Sequence, residues 1–258
     1  MAEKLGVLRM KTKLEDKKKV EVSLVFPACN ERENLENAVR KTTQALGKIT
    51  NSYEIIIAED GSTDGTDRIA ATLSTEYPSV QHIHRDKRQG RGLALKNAFA
   101  ESKGRILVYM DVDLATDIGH LRALIEAVQG DCDFATGSRM LPESRVSRSI
   151  SRQVASKSYN FMVRSFLGSK ISDHQCGFKA ARREALLETL DEVKATHWFW
   201  DTELLVRASR KGYKIKEIPV EWTHRGQTKV RFIKDTIEMG SQVVNLWRQL
   251  RIGQARKT

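Results

Sequence analysis

Hydrophobic positions in the first half of the chain follow two alternating rhythms. "VEVSLVFPA" (20–28), "YEIIIAED" (53–60) and "RILVYMD" (105–111) are continuous apolar, β-branched runs, the mark of strands buried on both faces. After the first run, Leu35, Ala38, Val39, Thr42 and Leu46 recur at helical spacing. "TDRIAATLSTEY" reads as a helix after the second, and Leu121, Leu124, Ile125 and Val128 share one side of a helix after the third. A short strand near "VQHIHR" and a helix in "RGLALKNAFAES" complete the alternation. This order predicts the α/β class, with a mostly parallel central sheet, helices on both faces and right-handed crossovers.

Beyond residue 139 the rhythm changes. A basic helix carries Tyr159, Phe161, Met162, Val163, Phe166 and Leu167. "SDHQCGFKAARREALLETL" reads as loop, strand and helix, "WDTELLVRASRKG" as a helix, and "YKIKEIPVEWTHR" as one strand. A long amphipathic helix then holds Ile233, Ile237, Val244, Trp247 and Ile252 beside basic residues; it suits a membrane interface, packing on the domain or a dimer contact. The expected organisation is a basic extension over 1–19, one domain over 20–235, and an amphipathic helix with a basic tail over 236–258.

Ligands of parallel sheets bind beyond the carboxyl ends of the strands. Three polar signatures fall at those ends: "PACNE" (27–31), "EDGSTDGT" (59–66) and "DVD" (111–113). Asp111 and Asp113 are two apart on an extended chain, so they project together and repel one another unless a positive charge intervenes. A hard divalent cation shared with a substrate diphosphate would relieve that repulsion. "DGSTDGTD" imitates a calcium loop, but its twelfth position is Ala71, which excludes that reading; Gly61 and Gly65 suit turns and Thr66 an N-cap. Asp117 suits a cap of the next helix.

The net charge is +11, and it is unevenly spread. Residues 1–20, 139–170 and 224–258 carry +4, +6 and +6, leaving an acidic body. Basic later segments against an acidic body point to a polyanionic partner. A nucleic-acid-binding module would explain the charge, but no recognition helix or stacking platform accompanies it. The apolar runs are too short to span a bilayer, and the N-terminus lacks the apolar stretch of a signal peptide, so a cytoplasmic protein is expected. Cys29, Cys132 and Cys176 have no metal-ligand spacing and are expected reduced; His174, His197 and His224 likewise lack that spacing.

"VSLVFPACNERENL", "YEIIIAEDGSTDGT", "GRILVYMDVDLATD" and "FATGSRML", in this order, resemble the inverting family 2 glycosyltransferases of the GT-A (Rossmann-like) fold. "SDHQCGFKAARREAL", "WFWDTELLVRASRKGYKIKEIPVEW" and "HRGQTKV" resemble the dolichyl-phosphate glucosyltransferase and dolichol-phosphate mannose synthase branch. The resemblance implies C-terminal helices on the acceptor side of the fold. It also implies that Pro27, Cys29, Glu31, Ala58 and Asp60 line a nucleotide pocket, Cys29 replacing the usual tyrosine. Asp111, Val112 and Asp113 correspond to the metal and diphosphate motif, with Mg²⁺ or Mn²⁺ on Asp111 and Asp113. Arg139, Arg152 and Ser156 would hold the acceptor phosphate, and Arg225 and Lys229 a basic loop over the diphosphate.

The expected activity is transfer of a sugar from UDP-glucose or UDP-N-acetylglucosamine to a polyprenyl or dolichyl phosphate, for glycan assembly such as N-glycosylation. It would take place at the cytoplasmic face of an anionic membrane, as a peripheral protein with a membrane partner or a second copy as further possibilities. An acceptor that is a soluble or protein-linked glycan is the alternative. That reaction needs a carboxylate base, for which Asp173, Asp201 and Glu203 are placed, although "WDTELL" also reads as an acidic helix start.

Overall fold

A computed structural model describes residues 20–223 and 232–255, with the backbone alone for 232–237 and 253–255. The expected alternation is present. Strands β1 (Val22–Ala28), β2 (Tyr53–Glu59), β3 (Val80–Ile83) and β4 (Ile106–Met110) are separated by helices α1 (Leu35–Gly47), α2 (Thr66–Glu76) and α3 (Arg91–Glu101). Helix α4 (Leu121–Gln129) leads to β5 (Phe134–Ser138), β6 (Arg145–Ser147) and α5 (Ile150–Leu167). Then follow β7 (Phe178–Arg182), α6 (Arg183–Leu190), α7 (Trp200–Arg210), β8 (Ile215–Pro219), β9 (Glu221–Thr223) and α8 (Phe232–Ala255).

The main sheet has the order β3-β2-β1-β4-β7-β5-β8. All its neighbours are parallel except those of β7, which runs antiparallel to both β4 and β5. The chain winds outward from β1 to β3 and then crosses back to β4, so the strand order reverses beside β1, where a crevice opens. Both faces are covered. Leu35, Ala38, Val39 and Leu46 of α1 pack with α2 and α4 on one face, while α3, α6 and α7 cover the other around Trp200 and Phe99. The helical stripes read from the sequence are the buried ones, including Thr42 and the set Leu121, Leu124, Ile125 and Val128.

A third cluster joins Tyr159, Val163 and Leu167 of α5 to Phe199 and Val206 of α7 and to Met239, Val243 and Leu246 of α8. One stripe of α8 therefore packs on the domain, with Trp247 partly buried against it, whereas Ile252 stays exposed. Two elements differ from expectation. The segment 213–223 is two strands, because β8 joins the main sheet while β9 pairs with β6 in a separate ribbon. The N-cap of α2 is Gly65, not Thr66; Asp64 Oδ1 accepts from both the backbone N–H and the hydroxyl of Thr66. Asp117 caps as expected, accepting from Gly119 N–H at 2.6 Å.

Candidate active site

The crevice is lined first by the loops after β1 and β2, which are bonded to each other. Asn30 takes a left-handed backbone (φ 55°) that turns the chain after Cys29. Its N–H donates to Ser62 Oγ at 3.0 Å and its carboxamide oxygen accepts from Thr63 N–H at 2.8 Å. Glu31 N–H donates to Thr66 Oγ1, and the Glu31 carboxylate accepts from Asn34 at 2.9 Å. Pro27 and Ala58 are opposed across the β1–β2 pairing. Pro27, Cys29, Glu31 and Ala58 thus lie at the neighbouring ends of β1 and β2 and in the loop after β1.

Asp60 lies one residue deeper and is 3% exposed. Its two carboxylate oxygens accept from the N–H groups of Gln89 and Gly90, each at 2.8 Å. Gly90 (φ 113°) presents those amides and starts α3, and a side chain there would strike Thr196 and His197.

The next residue, Arg91, is the centre of the site. Its Nη2 donates to Asp111 Oδ1 at 2.6 Å and its Nη1 to Asp201 Oδ2 at 2.5 Å. Lys179 of β7 donates to the other oxygen of Asp201 at 2.9 Å. Burial opposes the Arg91 charge, yet the two carboxylates outweigh it and raise its pKa. Burial pushes the Asp201 carboxyl up, against the pull of Arg91, and the Lys179 ammonium down, against that of Cys176 and Asp173. The positive charge beside Asp111 is therefore provided by the protein itself, through Arg91.

Asp111 N–H donates to the carbonyl of Gly177, which draws the backbone before β7 against the β4 tip. A Cβ on Gly177 would collide with the Asp111 carboxylate. Val112 is buried and points away, and Asp113 Oδ1 accepts from Ala115 N–H at 3.0 Å in the turn that follows. Two carboxylates thus stand at the head of one strand.

On the other side of β7, Arg139 forks onto buried Asp173 through Nε (2.7 Å) and Nη2 (2.9 Å). Burial alone would raise the Asp173 pKa, but Arg139 holds it well below the usual carboxylate range. Arg148 lies beside Arg139, and burial together with that like charge lowers its pKa. Arg148 Nε and Ser156 Oγ are buried polar atoms without a hydrogen-bond partner. Arg139 and Arg148 thus form a basic wall on this side of β7, and helix α5, which follows, carries Arg152 in its first turn and Ser156 one turn later.

Sequence reasoning missed Arg91, Lys179, Gly177 and Arg148. "RQGRG" reads as a turn, and nothing in the string places Arg91 between two acids 20 and 110 residues away. Of the base candidates, Asp173 is consumed by Arg139, and Glu203 by Arg207 Nε and the N–H groups of Lys194 and Ala195. Arg225 and Lys229 lie outside the described residues. Cys29, Cys132 and Cys176 form no disulfide with one another.

Residues 23–190 match the model of glycosyl transferase family 2. The chain belongs to that family. Within it, glycosyltransferase AglD of Haloferax volcanii is 48% identical over 236 residues, 90% of this chain and 38% of the relative, so the chain spans well under half of that protein's length. A polyprenol monophosphomannose synthase of Mycolicibacterium smegmatis is 33% identical over 78% of this chain and 77% of its own. The dolichyl-phosphate beta-glucosyltransferase of Saccharomyces cerevisiae is 28% identical over 89% of this chain and 75% of its own. Among solved structures, a glucosyl-3-phosphoglycerate synthase of Mycobacterium tuberculosis in complex with UDP superposes with a TM-score of 0.65 at 22% identity, covering 90% of this chain and 80% of that one. The family 2 fold is thereby the GT-A arrangement that the strand-tip motifs implied.

Proposed function

We propose that the chain transfers a sugar, with inversion, from a nucleoside diphosphate sugar to the phosphate of a polyprenyl or dolichyl phosphate at a membrane surface. The observation that carries this reading is the pairing, at one end of one sheet, of the Asp111–Asp113 carboxylates with a basic wall in which Arg148 Nε and Ser156 Oγ lack partners. A buried donor without an acceptor is costly, and a phosphate oxygen is the acceptor that suits it. The relatives named for dolichyl-phosphate and polyprenol substrates support the acceptor class. The UDP and Mn²⁺ complexes of the structural neighbours support a UDP-sugar donor.

The nucleotide would lie along Pro27, Cys29, Glu31, Ala58 and Asp60, with Arg225 and Lys229 closing over the diphosphate. Hard oxygen donors fit Mg²⁺ or Mn²⁺, so Asp113, assisted by the Asp111 oxygen that Arg91 leaves, would hold the cation. When bound, that ion supplies Lewis-acid stabilisation of the departing diphosphate. Arg91 fixes the Asp111 rotamer through a charged hydrogen bond, and Gly177 leaves the room for it. Arg139, Arg148, Arg152 and Ser156 would position the acceptor phosphate, which is ionised near neutral pH and needs no strong base. The remaining base candidate, Asp201, is 4% exposed and bonded to Arg91 and Lys179, which disfavours a hydroxyl acceptor.

No helix among the described residues is long and apolar enough to cross a membrane. Helix α5 nonetheless presents Ile150, Val154 and Phe161 to solvent at 79%, 58% and 70% exposure, at spacings that share one face, and Ile252 of α8 is exposed as well. Lys157 on the same helix adds a basic group that suits an anionic membrane surface. The test is incubation with Mg²⁺ or Mn²⁺, a panel of nucleotide sugars and polyprenyl phosphate. A lipid-linked sugar seen by mass spectrometry is expected; folded protein that yields none with any donor would overturn the proposal.

A further inference from the structure

A second group of ligand-type side chains stands apart from the Asp111–Asp113 pair. Strands β2 and β3 are parallel with Ala58 opposite Ile83, so Glu59 comes level with His84. His82 and His84 are two apart and share one side of the chain. The Glu59 side chain is wholly buried; Oε1 accepts from Ser62 N–H, and Oε2 lies 2.5 Å from His84 Nδ1. One donor atom from each of Glu59, His82 and His84 lies within 4.8 Å of the others, the one such trio among the described residues.

A hydrogen bond from His84 accounts for the burial of Glu59 but leaves His82 unexplained. His82 Nε2 is buried with no partner, and Asp67 in the first turn of α2 adds negative potential to that imidazole. Two imidazole nitrogens and one carboxylate are the donor set that takes Zn²⁺ with an open fourth position. Imidazole favours Zn²⁺, Ni²⁺ or Cu²⁺ over the hard cations that suit the carboxylate pair. Tetrahedral Zn²⁺ sets its donors about 3.4 Å apart. Binding would replace the 2.5 Å Glu59–His84 hydrogen bond, the two donors parting by about 1 Å, while His82, on β3 at the edge of the sheet, turns towards them.

We propose that Glu59, His82 and His84 form a transition-metal site, occupied by Zn²⁺ or an ion of similar softness and distinct from the cation site at Asp113. Such an ion ties the tip of β2 to the edge strand. Because Asp60 follows Glu59 and holds the Gln89–Gly90 amides, occupancy also steadies the nucleotide rim.

The test uses metal-stripped full-length Asp113→Ala protein without an affinity tag, in Mg²⁺ buffer, titrated with Zn²⁺ by calorimetry and with Co²⁺ by visible absorption. One bound ion and the intense bands of four-coordinate Co²⁺ are expected. Adding His82→Ala is expected to weaken Zn²⁺ binding at least as much as the about 10–100-fold lost with an outer partner. It should also abolish a Zn²⁺-dependent rise in melting temperature, while circular dichroism stays native. Absence of Zn²⁺ binding by the folded protein, or binding unchanged by His82→Ala, would overturn the assignment; neither result bears on sugar transfer.

Discussion

Asp111 and Arg91 meet at 2.6 Å, across 20 residues of sequence, in a bond that connects the head of β4 to the start of α3. The same guanidinium holds Asp201, so losing it removes the Arg91 bond from Asp111 and leaves buried Asp201 with Lys179 in place of two cations. Arg91→Met is expected to destabilise the protein by about 3–5 kcal/mol, the cost of breaking a buried pair from one side. Arg91→Lys, which keeps the charge but not the fork, should fall in between. Denaturant unfolding of the three proteins measures this, and equal midpoints would contradict it.

Gly177→Ala places a methyl group where the Asp111 carboxylate now lies. The side chain must leave its position beside Arg91, so sugar transfer should fall by at least about 100-fold, the scale of losing one aligned charge-stabilising group. The melting temperature should move far less than in Arg91→Met. A fully active Gly177→Ala protein would show that the Asp111 rotamer is irrelevant to turnover.

Asp113→Ala removes a half-buried carboxylate in a turn, so folding should survive while transfer is lost at every Mg²⁺ or Mn²⁺ concentration. Nucleotide-sugar binding in the absence of metal should be unchanged. Retained turnover would remove Asp113 from the chemistry.

Arg148→Ala and Ser156→Ala delete the two unpartnered donors of the basic wall. Each is expected to raise the KM for polyprenyl phosphate, about 10-fold for the charged group, and to leave the KM for the nucleotide sugar alone. A rise confined to the donor KM would move these residues to the other half of the site.

His174 is fully buried between Asn160 and Ser169, and burial lowers its pKa to about 4. The unfolded chain therefore takes up this proton first as pH falls. The stability tied to neutral His174 is complete above about pH 6.5 and is lost progressively towards pH 4, by up to about 3 kcal/mol. Unfolding free energies of wild type and His174→Gln across that window should converge as the medium acidifies; a constant difference would refute the assignment.

The alternating strands and helices were legible because continuous apolar runs and helical stripes are local signals; the buried face of α1 matches its stripe residue for residue, and that of α4 adds Ala127. The strand-tip acids were legible because parallel strands deliver their ends to one side. What stayed hidden depends on β7. A five-residue strand carries no mark of its direction, and its antiparallel entry places Gly177 on Asp111, Asp173 under Arg139 and Lys179 on Asp201. The reading of "YKIKEIPVEW" as one strand failed for a related reason: Val220 lies between partners in two different sheets.

The direction of β7 also decides where the molecule tolerates added chain. Since that strand begins inside the crevice and ends at the opposite rim, the connection leading into it is a hinge pin, with Ser169, Asp173, His174 and Cys176 all buried. The turns at 130–133 and 211–214, on the far rim, are where loops could be lengthened or new modules grafted without touching chemistry.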